Sequence, residues 1–302
     1  MLPLARTGFA SVAIAFVLSL PVLGEPPASG AQATAPVEKG QRVFTCAHSF
    51  HVFVYHMLAE LAANAGIQGH ENVGLSRIGG SRVIQHWDVP DEKNEAKTAL
   101  TAGNVDVLTL SPIWMPDEGI DKFAKLGFQH NPNIRITVQE FWLPNDVYEP
   151  RYPLETRKQV DHNATNVAEL RQAQNSYDHD VDEYVRGINA RLGKTVIFTV
   201  PVGQAAATLR EKIVAGQVPG LKNQWDLFRD MWGHPQPPLQ VLSAYCHFAV
   251  IYRRSPVGLP TPSDLTKANK PEWGPDLNRL LQEIAWDAVI HHPMSGVVAN
   301  AK

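Results

Sequence analysis

The sequence predicts a three-layer α/β/α sandwich built around a mostly parallel β-sheet. From residue 41 onward, short runs rich in β-branched and aromatic residues alternate with longer stretches of helical periodicity, a pattern typical of helices that cover both faces of a parallel sheet. Roughly 265 residues belong to this alternating region, enough for one large domain with a substantial buried core. No internal repeat interrupts the pattern.

The first 24 residues have the pattern of a secretory signal peptide. Arg6 precedes an apolar run from Gly8 to Leu23, followed by a stretch rich in Pro, Ala, Ser and Gly. We expect residues 25–40 to form a linker, residues 41–302 to fold as a single domain, and the mature protein to be secreted or periplasmic. No later segment has the approximately 18 consecutive apolar residues that a membrane span requires.

The first half of the folded region contains three predicted strands. The helix after the first strand has apolar residues at Val54, Leu58 and Leu61, a spacing that buries one face. Gly79 and Gly80 end the second strand with a turn. In order, the predicted elements are a strand at 41–46, a helix at 50–65, a strand at 73–78, a helix at 92–102, a strand at 105–110 and a helix at 117–128.

The second half begins with an alternating strand and continues into an irregular stretch. Ile134, Ile136 and Val138 alternate with polar residues, and Pro144 ends this strand. Residues 145–165 show no regular pattern, and a loop of this length in a compact domain is usually a lid, a binding loop or an insertion. The other predicted elements are a strand at 133–141, a helix at 166–192, a strand at 194–200, helices at 204–215 and 239–252, and a C-terminal packing helix that includes 280–288.

Ser49 lies where the first predicted strand passes into the first predicted helix. A serine on such a turn is held at the carboxyl edge of the sheet, with its hydroxyl exposed and with helix N-terminal amides nearby to stabilise an oxyanion. The alternative is that Ser49 only caps the helix, because serine is a favoured N-cap residue. A partner histidine and acid are needed to distinguish a nucleophile from a cap.

Asp230 and His234 lie on one short loop after the last predicted strand. The carboxyl ends of parallel strands meet at one edge, so we expect this loop beside the turn that carries Ser49. Their separation of four residues lets the carboxylate orient one imidazole nitrogen while the other faces the serine. The sequence thus predicts a Ser49–His234–Asp230 triad, with a purely structural His-Pro turn as the alternative.

With this order of Ser, Asp and His, the chain resembles the SGNH or GDSL family of serine hydrolases over about residues 41 to 255. Its first block would be Ala47-His48-Ser49, where Gly-Asp-Ser is usual, and its last block has one extra residue between Asp230 and His234. The resemblance implies a flavodoxin-like sheet and an esterase that cleaves acyl esters. No cofactor is expected.

The resemblance also implies where the oxyanion would bind. Gly80 matches the glycine amide of the family's second block, whereas Ser111 stands nearest the place of the usual third-block asparagine. Loss of one oxyanion donor costs about 3 kcal/mol of transition-state stabilisation. Three alternatives follow. Ser111 takes the place of the asparagine as donor, another loop supplies a donor, or the protein is a catalytically impaired, hydrolase-like binding protein.

Several other histidines form competing candidate sites. His48 and His51 are three residues apart and are predicted to line the pocket beside Ser49. Since no Cys-x-x-Cys or His-x-x-x-His pattern accompanies them, no metal site is predicted, and a metal-dependent hydrolase is a third hypothesis. Asp287 with His291 and His292 is a second acid–base candidate, although its surroundings have the pattern of a packing helix.

The composition excludes some partners and leaves others open. A net charge of -3 and the absence of a dense Lys/Arg run argue against nucleic acid and anionic membranes. A small-molecule or carbohydrate ester is the expected substrate, because tryptophans near predicted strand ends can form a platform for sugar rings. Cys46 and Cys246 form either a disulfide or two buried thiols. The oligomeric state is not predicted. The tryptophans are Trp87, Trp114, Trp142 and Trp232.

Overall fold

A computed structural model describes residues 35–148 and 160–298 of the chain. The predicted signal peptide and most of the predicted linker lie outside these residues. Within them, five strands form one all-parallel sheet in the order β2-β1-β3-β4-β5. The strands are β1 (Arg42–Ala47), β2 (Glu71–Arg77), β3 (Val107–Leu110), β4 (Arg135–Gln139) and β5 (Ile197–Val200).

Helices cover both faces of this sheet, which confirms the predicted three-layer α/β/α class. Helix α7 packs on α1 and on α9, and α3 packs on α4. The described residues form nine α-helices: α1 (Val54–Asn64), α2 (Val83–Trp87), α3 (Glu95–Thr101), α4 (Glu118–His130), α5 (Val167–Leu192), α6 (Val202–Val214), α7 (Pro237–Tyr252), α8 (Ser263–Thr266) and α9 (Pro275–His291).

The position of β1 in the sheet follows from its mostly apolar sequence. The strand pairs with β2 on one side and β3 on the other, and all its residues after Arg42 are buried. A parallel strand that is covered on both faces needs a continuous apolar run rather than an alternating one. The turn that follows β1 is therefore anchored in the middle of the molecule.

Helix α7 is buried on nearly every side. It packs against α1, α6 and α9, and almost all of its side chains are inaccessible to solvent, as expected for a helix that is apolar all round. Pro237 at its first position suits a helix start, where no amide hydrogen is needed. The loop that precedes α7 therefore joins a fixed element.

Some element boundaries differ from the predicted ones. Helix α1 begins at Val54 rather than at residue 50, because the chain makes a turn through residues 49–53. Cys46 and Cys246 are both free and buried, so the structure contains two thiols and not the disulfide. No helix in the described ranges is long and apolar enough to span a membrane.

Candidate active site

Ser49 lies on the tight turn that joins β1 to α1. The backbone N–H groups of His51 and Val52 both donate to the His48 carbonyl, which folds the chain sharply after the strand. Ser49 is half-buried, and the residue at the N-cap of α1 is Phe53, four positions later. The alternative role of Ser49 as a helix cap is therefore not what the structure shows.

The structure brings Ser49, His234 and Asp230 together. Ser49 Oγ lies 3.0 Å from His234 Nε2, and His234 Nδ1 lies 2.7 Å from Asp230 Oδ2. A carboxylate accepts only, so the ring hydrogen belongs on Nδ1 and the Nε2 lone pair faces the serine hydroxyl. This is the arrangement in which an imidazole can take a proton from a serine.

The loop that carries His234 is a compact turn. Phe228 and Pro235 form an antiparallel bridge at its base. The second oxygen of Asp230, Oδ1, accepts from the backbone N–H groups of Trp232 and His234 at 3.0 and 3.2 Å. One carboxylate therefore shapes the loop and orients the imidazole at the same time.

A cavity of about 490 Å³ opens beside Ser49 Oγ. Gly79 and Gly80, which follow β2, border it opposite the serine, and Gly80 has a left-handed backbone with φ of 62°. The backbone N–H groups of Ser49 and Gly80 donate to no acceptor among the described residues. Two main-chain donors are thus free to bind an oxyanion in this cavity. The other lining residues are His48, Phe50, Ile113, Phe141, Pro144, Trp232 and His234.

Ser111 does not line this cavity. Its side chain is buried, with Oγ 2.9 Å from His48 Nε2 and 3.3 Å from Gln139 Nε2. The expectation that Ser111 replaces the missing asparagine is therefore not supported by the geometry, because its hydroxyl serves a buried hydrogen-bond network behind the pocket. The sequence could not show this, since Gln139 comes from a different strand.

His48 borders the cavity as predicted, but as a neutral group. Its Nδ1 accepts from the Phe50 backbone N–H at 3.2 Å, so its Nε2 carries the hydrogen and donates to Ser111 Oγ. Burial, with smaller contributions from other histidines, lowers the pKa of His48 to about 3. His48 therefore supports the serine turn and does not compete with His234 for a proton.

His51 lies in the core and not beside Ser49, contrary to expectation. Its ring is fully buried, stacks on His247 with ring centroids 5.0 Å apart, and lies 3.2 Å from Thr109 Oγ1. The turn at residues 49–53 rotates this position inward, which a continuous helix from residue 50 would not do. Burial lowers the pKa of His51 to about 3.

His292 belongs to a different cluster from the triad. Its Nε2 lies 3.1 Å from Glu140 Oε1 and 3.5 Å from Asp182 Oδ2, whereas His291 and Asp287 pair on the surface. These contacts remove Asp287 and His292 as an acid–base pair for Ser49.

Glu140, Asp182 and His292 are the group of potential metal ligands that the described residues bring together. However, the Met294 backbone N–H donates to His292 Nδ1 at 3.2 Å. This contact places the ring hydrogen on Nε2, the nitrogen that would have to bind the metal. The geometry therefore fits a hydrogen-bonded cluster better than a metal site.

Four lining residues of the cavity were missed by the sequence analysis. Ile113, Phe141 and Pro144 follow β3 and β4, and only their position beyond strand ends at the carboxyl edge could have indicated them. The fourth is Phe50, whose ring meets the His234 ring edge-on with centroids 5.2 Å apart. The cavity is therefore mainly apolar around a polar triad.

Comparison with known proteins supports the fold alone. No protein family model matches the chain, and no curated protein matches it in sequence. A DUF4886 family protein from Bacteroides uniformis has a similar structure, with a TM-score of 0.52 and 14% identity, covering 84% of this chain and 96% of the other. A gut microbial diltiazem-metabolizing enzyme matches with a TM-score of 0.37 and 16% identity over 72% of this chain and 48% of its own.

Proposed function

We propose that this protein is a serine hydrolase that cleaves acyl esters, with Ser49 as nucleophile, His234 as general base and Asp230 as the group that orients it. The observation that carries the proposal is the continuous chain of contacts from Ser49 Oγ through both ring nitrogens of His234 to Asp230 Oδ2, at 3.0 and 2.7 Å. The resemblance to SGNH hydrolases in chain order adds to it.

In the proposed mechanism, His234 Nε2 takes the Ser49 proton as Oγ bonds to the ester carbonyl carbon. The imidazolium then gives this proton to the departing alkoxide, which leaves an acyl-serine and an alcohol. Water attacks the acyl-serine with His234 again as base, and the free acid is released. Asp230 holds the hydrogen on Nδ1 and stabilises the imidazolium at each step.

The oxyanion is proposed to bind the main-chain N–H groups of Ser49 and Gly80. Both groups have no acceptor among the described residues, and both border the cavity. Because Ser111 is engaged elsewhere, this hole has two donors and lacks the third donor usual in the resembling family. A slower chemical step is the expected consequence, and an impaired binding protein is the alternative that the same observation favours.

The cavity supports an ester of an uncharged, apolar acyl group as substrate. Apart from the triad and His48, its described lining consists of apolar side chains and two glycines. His48 has both ring nitrogens occupied, so neither is free to bind a polar acyl substituent. Trp232, which is half-buried at the cavity, is a candidate platform for an alcohol such as a sugar ring.

Labelling with a fluorophosphonate probe tests the nucleophile. We expect Ser49 to be labelled in the wild type, and Ser49→Ala and His234→Ala to lose both labelling and the hydrolysis of p-nitrophenyl butyrate, by at least about 1,000-fold. Ser255→Ala, at an exposed serine far along the chain, is the matched control. A folded wild type that is not labelled would support the impaired binding protein, and loss of activity with a chelator would support the metal-dependent hydrolase.

Export of the protein is a separate proposal that rests on residues 1–24 of the sequence. N-terminal sequencing of the mature protein from its native host tests it. A mature chain that begins near Glu25 is expected, and a chain that retains Met1 inside the cell contradicts export.

A further inference from the structure

Four consecutive backbone carbonyls of the proposed acid–base loop are contacted by three residues that follow β4 and precede α5 in the chain. The Trp142 indole N–H donates to the Gly233 carbonyl at 2.8 Å. Asn145 donates from its side chain to Met231 at 3.0 Å and from its backbone to Trp232 at 3.4 Å. His162 Nε2 lies 3.1 Å from the Asp230 carbonyl. We call these three donor residues, Trp142, Asn145 and His162, the carbonyl clamp.

His162 is the member of the clamp that can change its charge. Its ring is completely buried, with Nδ1 2.9 Å from Asp146 Oδ2 and Nε2 facing the Asp230 carbonyl. Both partners can only accept hydrogen bonds. A neutral imidazole has one N–H, so in either tautomer a nitrogen lone pair would face an oxygen within 3.1 Å.

The surroundings of His162 favour a cation. Asp146 is buried with it and also pairs with both terminal nitrogens of Arg210. Although burial opposes the charged form, Arg210 and His162 outweigh it and hold the pKa of Asp146 well below its usual range. The Phe228 ring, with its centroid 4.2 Å from that of His162, adds an aromatic face of the kind that attracts cations. Asp161, which is exposed, is a further charged group that interacts with this ring.

We propose that His162 is a buried imidazolium and a positioning residue, which fixes the Asp230 backbone, and through it the Asp230 carboxylate, by donating from Nε2 to the Asp230 carbonyl. Its effect on hydrolysis rests on the proposed function, whereas its charge and its contact with the loop do not. The backbone at Asp230 determines the direction of the carboxylate that orients His234. Loss of the hydrogen bond from His162 to the Asp230 carbonyl should therefore displace the His234 imidazole.

Nitrogen-15 NMR of the histidine-labelled wild-type protein tests the charge directly. The His162 signals are assigned by their loss in His162→Gln. We expect both ring nitrogens of His162 to carry hydrogen at pH 7.5, and His48 to carry hydrogen on Nε2 alone. A single protonated nitrogen at His162 would overturn the proposal, whether or not the protein hydrolyses esters.

Ester hydrolysis by His162→Phe tests the positioning role. The variant removes both N–H donors but leaves Arg210 and Asp146 as a balanced pair, so we expect it to fold. Because a displacement of about 1 Å in a catalytic group costs about 100-fold, kcat should fall by about 10- to 100-fold with KM within about twofold.

Two further variants separate positioning from stability. Thr165→Val removes another hydrogen bond to Asp146 without touching the loop, so it should leave kcat unchanged. His162→Gln keeps one donor for the Asp230 carbonyl and should recover part of kcat. A folded His162→Phe with wild-type kcat, or equal losses in Thr165→Val, would refute the positioning role. An inactive wild type with a doubly protonated His162 would refute the proposed function instead.

Discussion

His48 and His234 differ in which ring nitrogen carries the hydrogen. In His48, the Phe50 N–H occupies Nδ1 and leaves the hydrogen on Nε2. In His234 the order is reversed, because the Asp230 carboxylate takes the Nδ1 hydrogen and leaves the Nε2 lone pair to Ser49. A difference of one hydrogen-bond partner therefore separates a structural histidine from a proposed base.

Replacement of Asp230 by asparagine should keep the conformation of the loop but change the tautomer of His234. In Asp230→Asn, an oxygen can still accept from the Trp232 and His234 backbone, so the loop should keep its shape. The amide would face His234 Nδ1 and favour the tautomer with hydrogen on Nε2, which has no lone pair for the Ser49 proton. We expect kcat for ester hydrolysis to fall by about 10,000-fold with little change in thermal stability. A loss below tenfold would show that Asp230 does not set the tautomer.

Sequence reasoning predicted the juxtaposition of the residues whose positions follow from local pattern and chain order. Ser49, Asp230 and His234 each follow a recognisable element, and parallel strands bring such positions to one edge. Ser111 and His51 were misplaced, because their directions depend on Gln139, Thr109 and the turn after β1. Side-chain direction across strands is set by packing, which one-dimensional patterns do not contain.

At the scale of the elements, the loop from Phe228 to Pro235 depends on the backbone conformation of one residue, Gly233. Gly233 has a backbone φ of 87°, a conformation that residues with a side chain rarely adopt. Its carbonyl accepts a hydrogen bond from the Trp142 indole N–H. A Cβ at this position would lie 3.4 Å from the Trp142 indole nitrogen.

The element boundaries were predicted well where periodicity was long, as in α5, and α2 was missed because its five residues span little more than one turn.

A pair of glycine variants tests whether this loop conformation matters for the proposed reaction. Gly233→Ala and Gly216→Ala both place alanine at a positive φ, and each should lower the free energy of unfolding by about 1 kcal/mol. Only Gly233→Ala should also lower kcat, because Gly216 lies outside the cavity with nothing near its Cβ. Steady-state kinetics and urea unfolding measure both effects. Equal kcat in the two variants would contradict the importance of the loop backbone.

Across the whole molecule, a buried cluster of acids links stability to pH. Glu140 and Asp178 are both inaccessible to solvent. Burial, and then the carboxyl of Glu140, raises the pKa of Asp178 well above its usual range, although Gln174 opposes this. The folded protein therefore keeps a proton that the unfolded chain releases above about pH 4. Its free energy of unfolding should fall as pH rises above that value, by about 1.4 kcal/mol per pH unit and per such group until the folded pKa is reached.

Asp178→Asn should weaken this dependence. The variant keeps an oxygen for Gln174 and no longer titrates. It replaces Oδ2, which has no hydrogen-bond partner among the described residues, with an amide nitrogen. We expect its melting temperature to fall less than that of the wild type between pH 5 and pH 8, as measured by calorimetry. Glu92→Gln, at an exposed position, should reproduce the wild-type slope. Identical slopes for all three proteins would show that Asp178 is ionised in the folded state.

The separation of 185 residues between Ser49 and His234 affects the order of events during synthesis. The ribosome releases β1 and its serine long before the loop that carries the histidine. A nascent chain that ends before this loop bears the proposed nucleophile without its proposed base. If the proposed function holds, the appearance of hydrolysis during synthesis would report that the loop and α7, which packs on α1, have been made and folded.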